Sequence, residues 1–330
     1  MSYKKYVLVR TIHSLVTLCL VISAIFFLFR LMPGDFTQMI AMRGADEEVL
    51  NTIREQWGLN DPLYVQWYTY MINLIFLDFG TSRVYRVPVW EHVKMPIFNT
   101  FILVAPAVTL NYILGGVIGT AIGRAKGKAS EKFTNITLIT IGSFPSFFIG
   151  IVLIIVFSQW LNLFPSSGMI PGRVISDHDT WWGPYLTRDF AHHYILPFSA
   201  IVLRYLFFPT MLMRSSVVEV TGSNFAEYQR LTGISSLRHA FHLAHHASLP
   251  LISMYPMSMI RAFGGLVLIE TVFNWPGIGW LLVDGVLARD LPVVMFIFTI
   301  VAVWVILTNF IVDLLYGIVD PRITTQDASN

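Results

Sequence analysis

The chain has 330 residues, 55% of them hydrophobic and 13% charged, with a formal net charge of +2. An ordinary soluble chain carries about a quarter charged residues, so too little polar side chain is present to cover a water-exposed ball. The small net charge gives no reason to look for nucleic acid as a partner. The single cysteine, Cys19, excludes an intrachain disulfide and a metal cluster built on thiolates.

The N-terminus places Lys4, Lys5 and Arg10 before an apolar run at 11–29. That run is too long for the core of a signal peptide, and no small-x-small cleavage site follows it. It reads as an uncleaved first membrane span. A spanning helix needs about 20 mostly apolar residues, and five further stretches qualify: 96–123, 133–160, 194–213, 249–269 and 291–312. Backbone polar groups in hydrocarbon must satisfy one another, so the expectation is an all-α protein with about six transmembrane helices. Pro145 falls inside the third stretch and is expected to kink it.

Basic residues orient these spans. The N-terminal tail holds three cations and no acid, and the connection after the second span holds Arg124, Lys126, Lys128 and Lys132 against Glu131. Both belong inside by the positive-inside rule. Between the first two spans the balance reverses: Asp35, Asp46, Glu47, Glu48, Glu55, Asp61, Asp78 and Glu91 outnumber the bases. An even number of spans then leaves both termini in the cytoplasm. The outer segment 33–95 is expected to form short surface helices over 46–57 and 64–76, with aromatics at headgroup level. The inner loop 214–248 is too polar to span and too long to be a mere connector.

Several patterns are weighed against ordinary packing. Gly115, Gly119 and Gly123 recur at every fourth position, as do Gly142, Ser146 and Gly150. Small residues at this spacing let helices approach closely, and that reading is preferred to substrate contact. The run GRAKGKA at 123–129 is one residue short of a phosphate-binding loop and ends in alanine, so it binds no nucleotide by that route. His239, His242, His245 and His246 lie without an acid among them and read as a basic inner face rather than a metal site. A charge inside a span costs roughly 2.5–3.5 kcal/mol, so it faces a partner or a cavity. Arg204 and Arg261 stand in the middle of the fourth and fifth spans, where they could line a pathway favouring a carboxylate or serve structure. Glu270 and Asp313 stand nearer span ends, where a salt bridge or snorkelling accounts for them. A membrane enzyme would need a catalytic cluster, and the outer Asp177, His178, Asp179 and Trp181 group is the one candidate. An ion-driven transporter would more often show mid-span acids and internal repeats.

The inner loop carries EYQRLTG at 227–233, with Leu249-Pro250 following. This resembles the cytoplasmic signature of ABC-importer permeases, an E-A-A-x-x-x-G run followed by a Leu-Pro. Glu227 and Gly233 match it, while Tyr228 and Gln229 replace the alanines. Blocks in the same order along the chain are similar to the dipeptide/oligopeptide/nickel group: RLMPGD at 30–35, WGLNDPL at 57–63, LDFGTS at 77–82, MRSS at 213–216, ETVFNWPGIG at 270–279, LVDG at 282–285, RDLPV at 289–293, VDLLYG at 312–317 and DPR at 320–322.

The resemblance implies a type I ABC-importer permease fold in the cytoplasmic membrane. Its parts would be a tail and first span (1–32), an extracytoplasmic segment (33–95) and a permease core (96–330). It further implies a second homologous permease, two ABC ATPase subunits and an extracytoplasmic solute-binding protein as partners, alongside membrane lipid. The chain would be non-catalytic and hold no cofactor, ATP being bound by the partner subunits. The cargo would be di- or oligopeptides, although relatives carry oligosaccharides, opines or nickel chelates. A docking helix over 224–236, with Asn224, Glu227, Arg230 and Gly233, would couple the bundle to the ATPase. Glu227 would fix the loop through a hydrogen bond or ion pair, and Gly233 would allow the turn.

Overall fold

The computed structural model describes residues 3–31, 41, 44, 46–56, 58–172 and 180–319, and almost all regular structure in it is helical. Among the described residues the only β pairing is an isolated bridge between Thr81 and Pro88. The chain divides into two compact units, residues 1–98 with 280–330 and residues 99–279.

The first unit is built on α1 (Tyr3–Leu31) lying along α13 (Leu291–Val319), with α2 (Glu47–Gln56) and α3 (Leu63–Ile75) formed by the outer segment. Both outer helices fall where they are expected, within a residue at each end. The Arg10 guanidinium lies 3.4 Å from the Asp313 carboxylate, and the Tyr6 hydroxyl donates to the Asp313 carbonyl at 2.8 Å. The salt-bridge reading of Asp313 therefore holds. The RDLPV block anchors a second part of the unit. Its Asp290, 1% exposed, accepts from the Ser82 hydroxyl and from the Arg83 and Val84 amides, pinning the LDFGTS block.

The second unit begins within α4 (Val89–Arg124) and contains α5 (Ala129–Ser143), α6 (Ser146–Leu153), α7 (Arg188–Tyr205), α8 (Phe207–Thr221), α9 (Asn224–Leu231), α10 (Ser236–Ser253) and α11 (Tyr255–Phe273). The glycines of α4 pack as the spacing suggests. Gly115 lies against Pro209, Gly119 against Met213 and the Thr210 carbonyl, and Gly123 against Val217, so any side chain there would push α4 off α8. A last helix, α12 (Ile278–Leu287), precedes α13.

Among the described residues four helices are individually long and apolar enough to cross a membrane, and the number reaches six if each of two bent pairs counts as one span. The bends correct the sequence reading. The third stretch is not a kinked helix but two pieces, α5 and α6, meeting at 101°. Phe144 sits in extended backbone (ψ 144°) because the following Pro145 disfavours the helical region for its predecessor. A π-helical segment, Ile154–Trp160, continues α6. The fourth stretch bends by 41° between α7 and α8. There Pro209 lacks the N–H that would bond the Tyr205 carbonyl, and its ring crowds that carbonyl. The fifth span also starts later than expected, at Tyr255 instead of 249, because Pro256 interrupts the ladder. Leu249 and Pro250 accordingly belong to α10. The outer residues Asp177, His178 and Asp179, much of RLMPGD, Trp57 and the DPR block lie outside the described residues.

Candidate functional site

The inner loop folds into a short helix hung beneath a long one. Helix α9 starts at Ser223, whose hydroxyl accepts from the Ala226 amide at 3.4 Å and donates to the Val220 carbonyl at 2.6 Å. It ends before Gly233, at φ +71°, a left-handed conformation in which glycine has no Cβ to clash. The helix is therefore Asn224–Leu231, shorter than the expected 224–236, and Ser236 opens α10.

Three residues apart on one face, Ala226 and Gln229 are the buried positions of α9, at 0% and 6% exposure. The Gln229 amide bridges two rings of α10: the His239 Nδ1 lies 3.1 Å from Oε1, and the His242 Nδ1 lies 2.8 Å from Nε2. Burial, then Arg124, Arg230 and His242, push the His239 pKa below its usual value. Arg124, ending α4, donates to the Ser236 hydroxyl at 2.7 Å. The Glu131 carboxylate accepts from the Gly127 amide and from Arg214 of α8, tying the first inner loop to α8.

The other face of the loop is apolar and open. Tyr228 is 68% exposed, Leu231 80%, Leu237 83% and Phe241 71%. Phe225 is also exposed and packs its ring against that of His246. Asn224, Glu227, Arg230 and Gly233 are all exposed along the same element. The Glu227 carboxylate makes no ion pair or hydrogen bond among the described residues, so it does not fix the loop within this chain. Gln229 does that instead. The histidines and Gln229 are the residues that sequence reasoning passed over as site members. The available signal was a polar side chain standing where the signature carries alanine.

The two mid-span arginines come to one neighbourhood of the packed pair α7 and α11. The Arg204 guanidinium lies 5.2 Å from the Tyr205 ring centre, and that of Arg261 lies 4.8 Å from the Phe208 ring centre. The Tyr205 hydroxyl donates to the Arg261 carbonyl at 3.0 Å. Neither guanidinium meets a carboxylate among the described residues. Aromatic faces at these distances attract a guanidinium.

Glu270 lies in the last turn of α11 and is 1% exposed. Its Oε1 accepts from the Thr100 hydroxyl at 2.7 Å, and that hydroxyl accepts from the Ile278 amide at 2.9 Å. Next to it, Asn99 donates to the Pro276 carbonyl (2.8 Å), accepts from the Tyr185 hydroxyl (2.6 Å) and offers its own carbonyl to the Trp275 indole (3.0 Å). Burial raises the Tyr185 pKa to about 12, which keeps it a donor. The Gly277 backbone passes so close that an added Cβ would overlap the Glu270 carboxylate and the Thr100 hydroxyl. Glu270 thus belongs to a buried polar knot, where a neutral hydroxyl meets its carboxylate in place of the expected snorkelling to water. No cluster of three or more metal-binding side chains occurs among the described residues.

Comparison with known proteins fits this architecture. Residues 112–325 match the family model described as binding-protein-dependent transport system inner membrane component, and residues 3–90 match the N-terminal model of the same systems. The chain is 32% identical over 322 residues to the glutathione transport system permease protein GsiC of Salmonella paratyphi A, covering 96% of this chain and 98% of the relative. The GsiC of Salmonella typhimurium strain LT2 gives the same figures. That of Escherichia coli strain K12 is 30% identical over 322 residues, with 96% and 98% covered. A multi-span helical bundle with these matches is a permease subunit of an ABC importer, and the chain belongs to the family of binding-protein-dependent transport system inner membrane components.

Proposed function

We propose that this permease passes short peptides delivered by an extracytoplasmic solute-binding protein, and that its inner loop is the seat of a separate ATPase. The observation that carries the docking reading is the apolar face of α9 and the start of α10. Tyr228, Leu231, Leu237 and Phe241 stand open to water on the side away from the bundle. A soluble-side helix exposes such a stripe when a groove on a partner covers it. The basic residues of the first inner loop and of the N-terminal tail put this face, and both termini, in the cytoplasm.

Assembly is proposed as this chain with a second homologous permease and two ABC ATPase subunits. ATP is bound and hydrolysed by those partners, and this chain performs no catalysis. ATP favours one arrangement of its own subunits. Their motion shifts α9, and the bundle turns between outward and inward access, the energy being the differential affinity of ATP for the two states. The peptide reading draws on the glutathione permeases that the chain is similar to and on Arg204 and Arg261. Two cations held over aromatic rings in mid-membrane suit a peptide carboxylate.

The test is the substitution Leu231→Asp in the assembled importer. Burying a leucine contributes about 1.5–3 kcal/mol, so ATPase affinity should fall about tenfold or more while the permease still inserts and folds. Co-purification of the ATPase measures it. Undiminished co-purification would remove the docking assignment. Glu227→Ala combined with Gly233→Pro should likewise leave the bundle folded but separate ATP hydrolysis from uptake.

A further inference from the structure

We propose that Gln229 is the joint through which α9 drives α10, and that this joint opens once His239 and His242 are both protonated. The proposal rests on the docking reading above and adds the element that transmits the push. The covalent connection between the two helices is the turn at 232–235, which contains Gly233 at φ +71°. A buried polar tie is what keeps α9 from swinging on that turn. Gln229 supplies it, at 6% exposure, with one amide contacting two imidazoles. From the joint, α10 runs through Ser253 and is separated only by Met254 from α11, which carries Arg261.

The chemistry of an amide sets the pH response. Its oxygen only accepts and its nitrogen only donates, while a neutral imidazole offers one bare nitrogen and an imidazolium none. In this arrangement His239 donates to Oε1, and Nε2 donates to the bare Nδ1 of His242. Turning the amide over exchanges the two rings and changes nothing else. Either way one ring must keep an unprotonated Nδ1, and two imidazolium rings break the tie.

The charged groups around the joint oppose early protonation. Arg124 from the end of α4, Arg230 from α9 and His242 itself all act on His239 in the same direction as its burial. On the packed helix α8, Arg214 is engaged by Glu131 and Glu219 is exposed. His245 and His246 are exposed on α10, and the charges of α11, Arg261 and Glu270, lie beyond Met254. Among the described residues no carboxylate pairs with either ring. Because the His239 pKa is lowered, the joint is complete above the ordinary histidine range near 6.5 and fails as pH falls below it.

The experiment uses the complete importer, with its partner permease and ATPases, in proteoliposomes. The readout is the stimulation of ATP hydrolysis by the cognate solute-binding protein, at about pH 7.5 and about pH 5.5 on the ATPase side. Wild type should lose stimulation about fivefold at the lower pH, the equivalent of one buried hydrogen bond. Gln229→Leu should be weak at both values while the ATPase stays bound. Gln229→Glu should keep stimulation at both values, since a carboxylate accepts from an Nδ1–H whether the ring is neutral or protonated. Parallel falls in all three proteins, or a Gln229→Leu importer stimulated like wild type at the higher pH, would overturn the joint. Loss of the ATPase on Leu231→Asp alongside wild-type behaviour of both Gln229 variants would overturn the joint and leave the docking face standing. An ATPase that stays bound to Leu231→Asp would overturn the docking face instead.

Discussion

Two polar clusters in the unit 99–279 are built alike and end differently. Around Glu270, groups from α4, the Tyr185 turn and the FNWPG bend meet in hydrogen bonds inside the chain, and the side chains of Asn99, Thr100, Tyr185, Glu270 and Trp275 are all nearly buried. Around Gln229, a buried amide holds two rings, but the next layer outward is Tyr228, Leu231, Leu237 and Phe241 in open solvent. The first cluster is finished by its own chain. The second is finished on one side only, and its other side is an exposed apolar surface. Buried polarity alone thus does not mark function in this bundle. What distinguishes the proposed docking element is a satisfied tie beneath an uncovered apolar face.

That contrast can be broken most severely at the closed cluster. Gly277→Ala should be the most damaging single methyl in the molecule, because the new carbon overlaps both Glu270 and Thr100. Overpacking of this kind costs about 1–3 kcal/mol or more, and the loss should appear as a lower thermal midpoint of the detergent-solubilised protein. An unchanged midpoint would mean that the knot yields. At mid-membrane, Arg261→Met should keep the midpoint but reduce uptake of carboxylate-bearing peptides about tenfold, the effect of one charge-assisted hydrogen bond. Equal uptake of free and amidated peptides by both proteins would end the pathway assignment. The smallest effect is expected at the open cluster, from Ser223→Ala. Loss of this N-cap costs about 1 kcal/mol, felt as faster amide exchange in α9 and not as a lower midpoint.

The blocks that resemble known permeases were legible because they are dense in residues with little conformational freedom or much chemistry, such as FNWPG and RDLPV. Their physical duties were less legible. Glu270 suggested a salt bridge or snorkelling from its sequence position; its burial excludes snorkelling, and it accepts from Thr100, about one hundred and seventy residues earlier. Glu227 looked like the fixing residue of the inner loop because it matches the signature. The fixing is done by Gln229, a departure from it, through histidines that sequence spacing could only describe as basic.

By itself the sequence determined that the chain spans a membrane as helices, about how many times, and where the two short helices between the first two spans lie. Apolar length and the need to satisfy backbone hydrogen bonds leave no other solution. Tertiary structure alone decided that the kink expected at Pro145 is a full break and that spans also bend or end at Pro209 and Pro256, since a proline within an apolar run can kink, bend or end a helix according to what packs beside it. It alone decided, too, which polar residues face one another. Hydropathy records how much each side chain avoids water and carries no information on which distant partner will meet it.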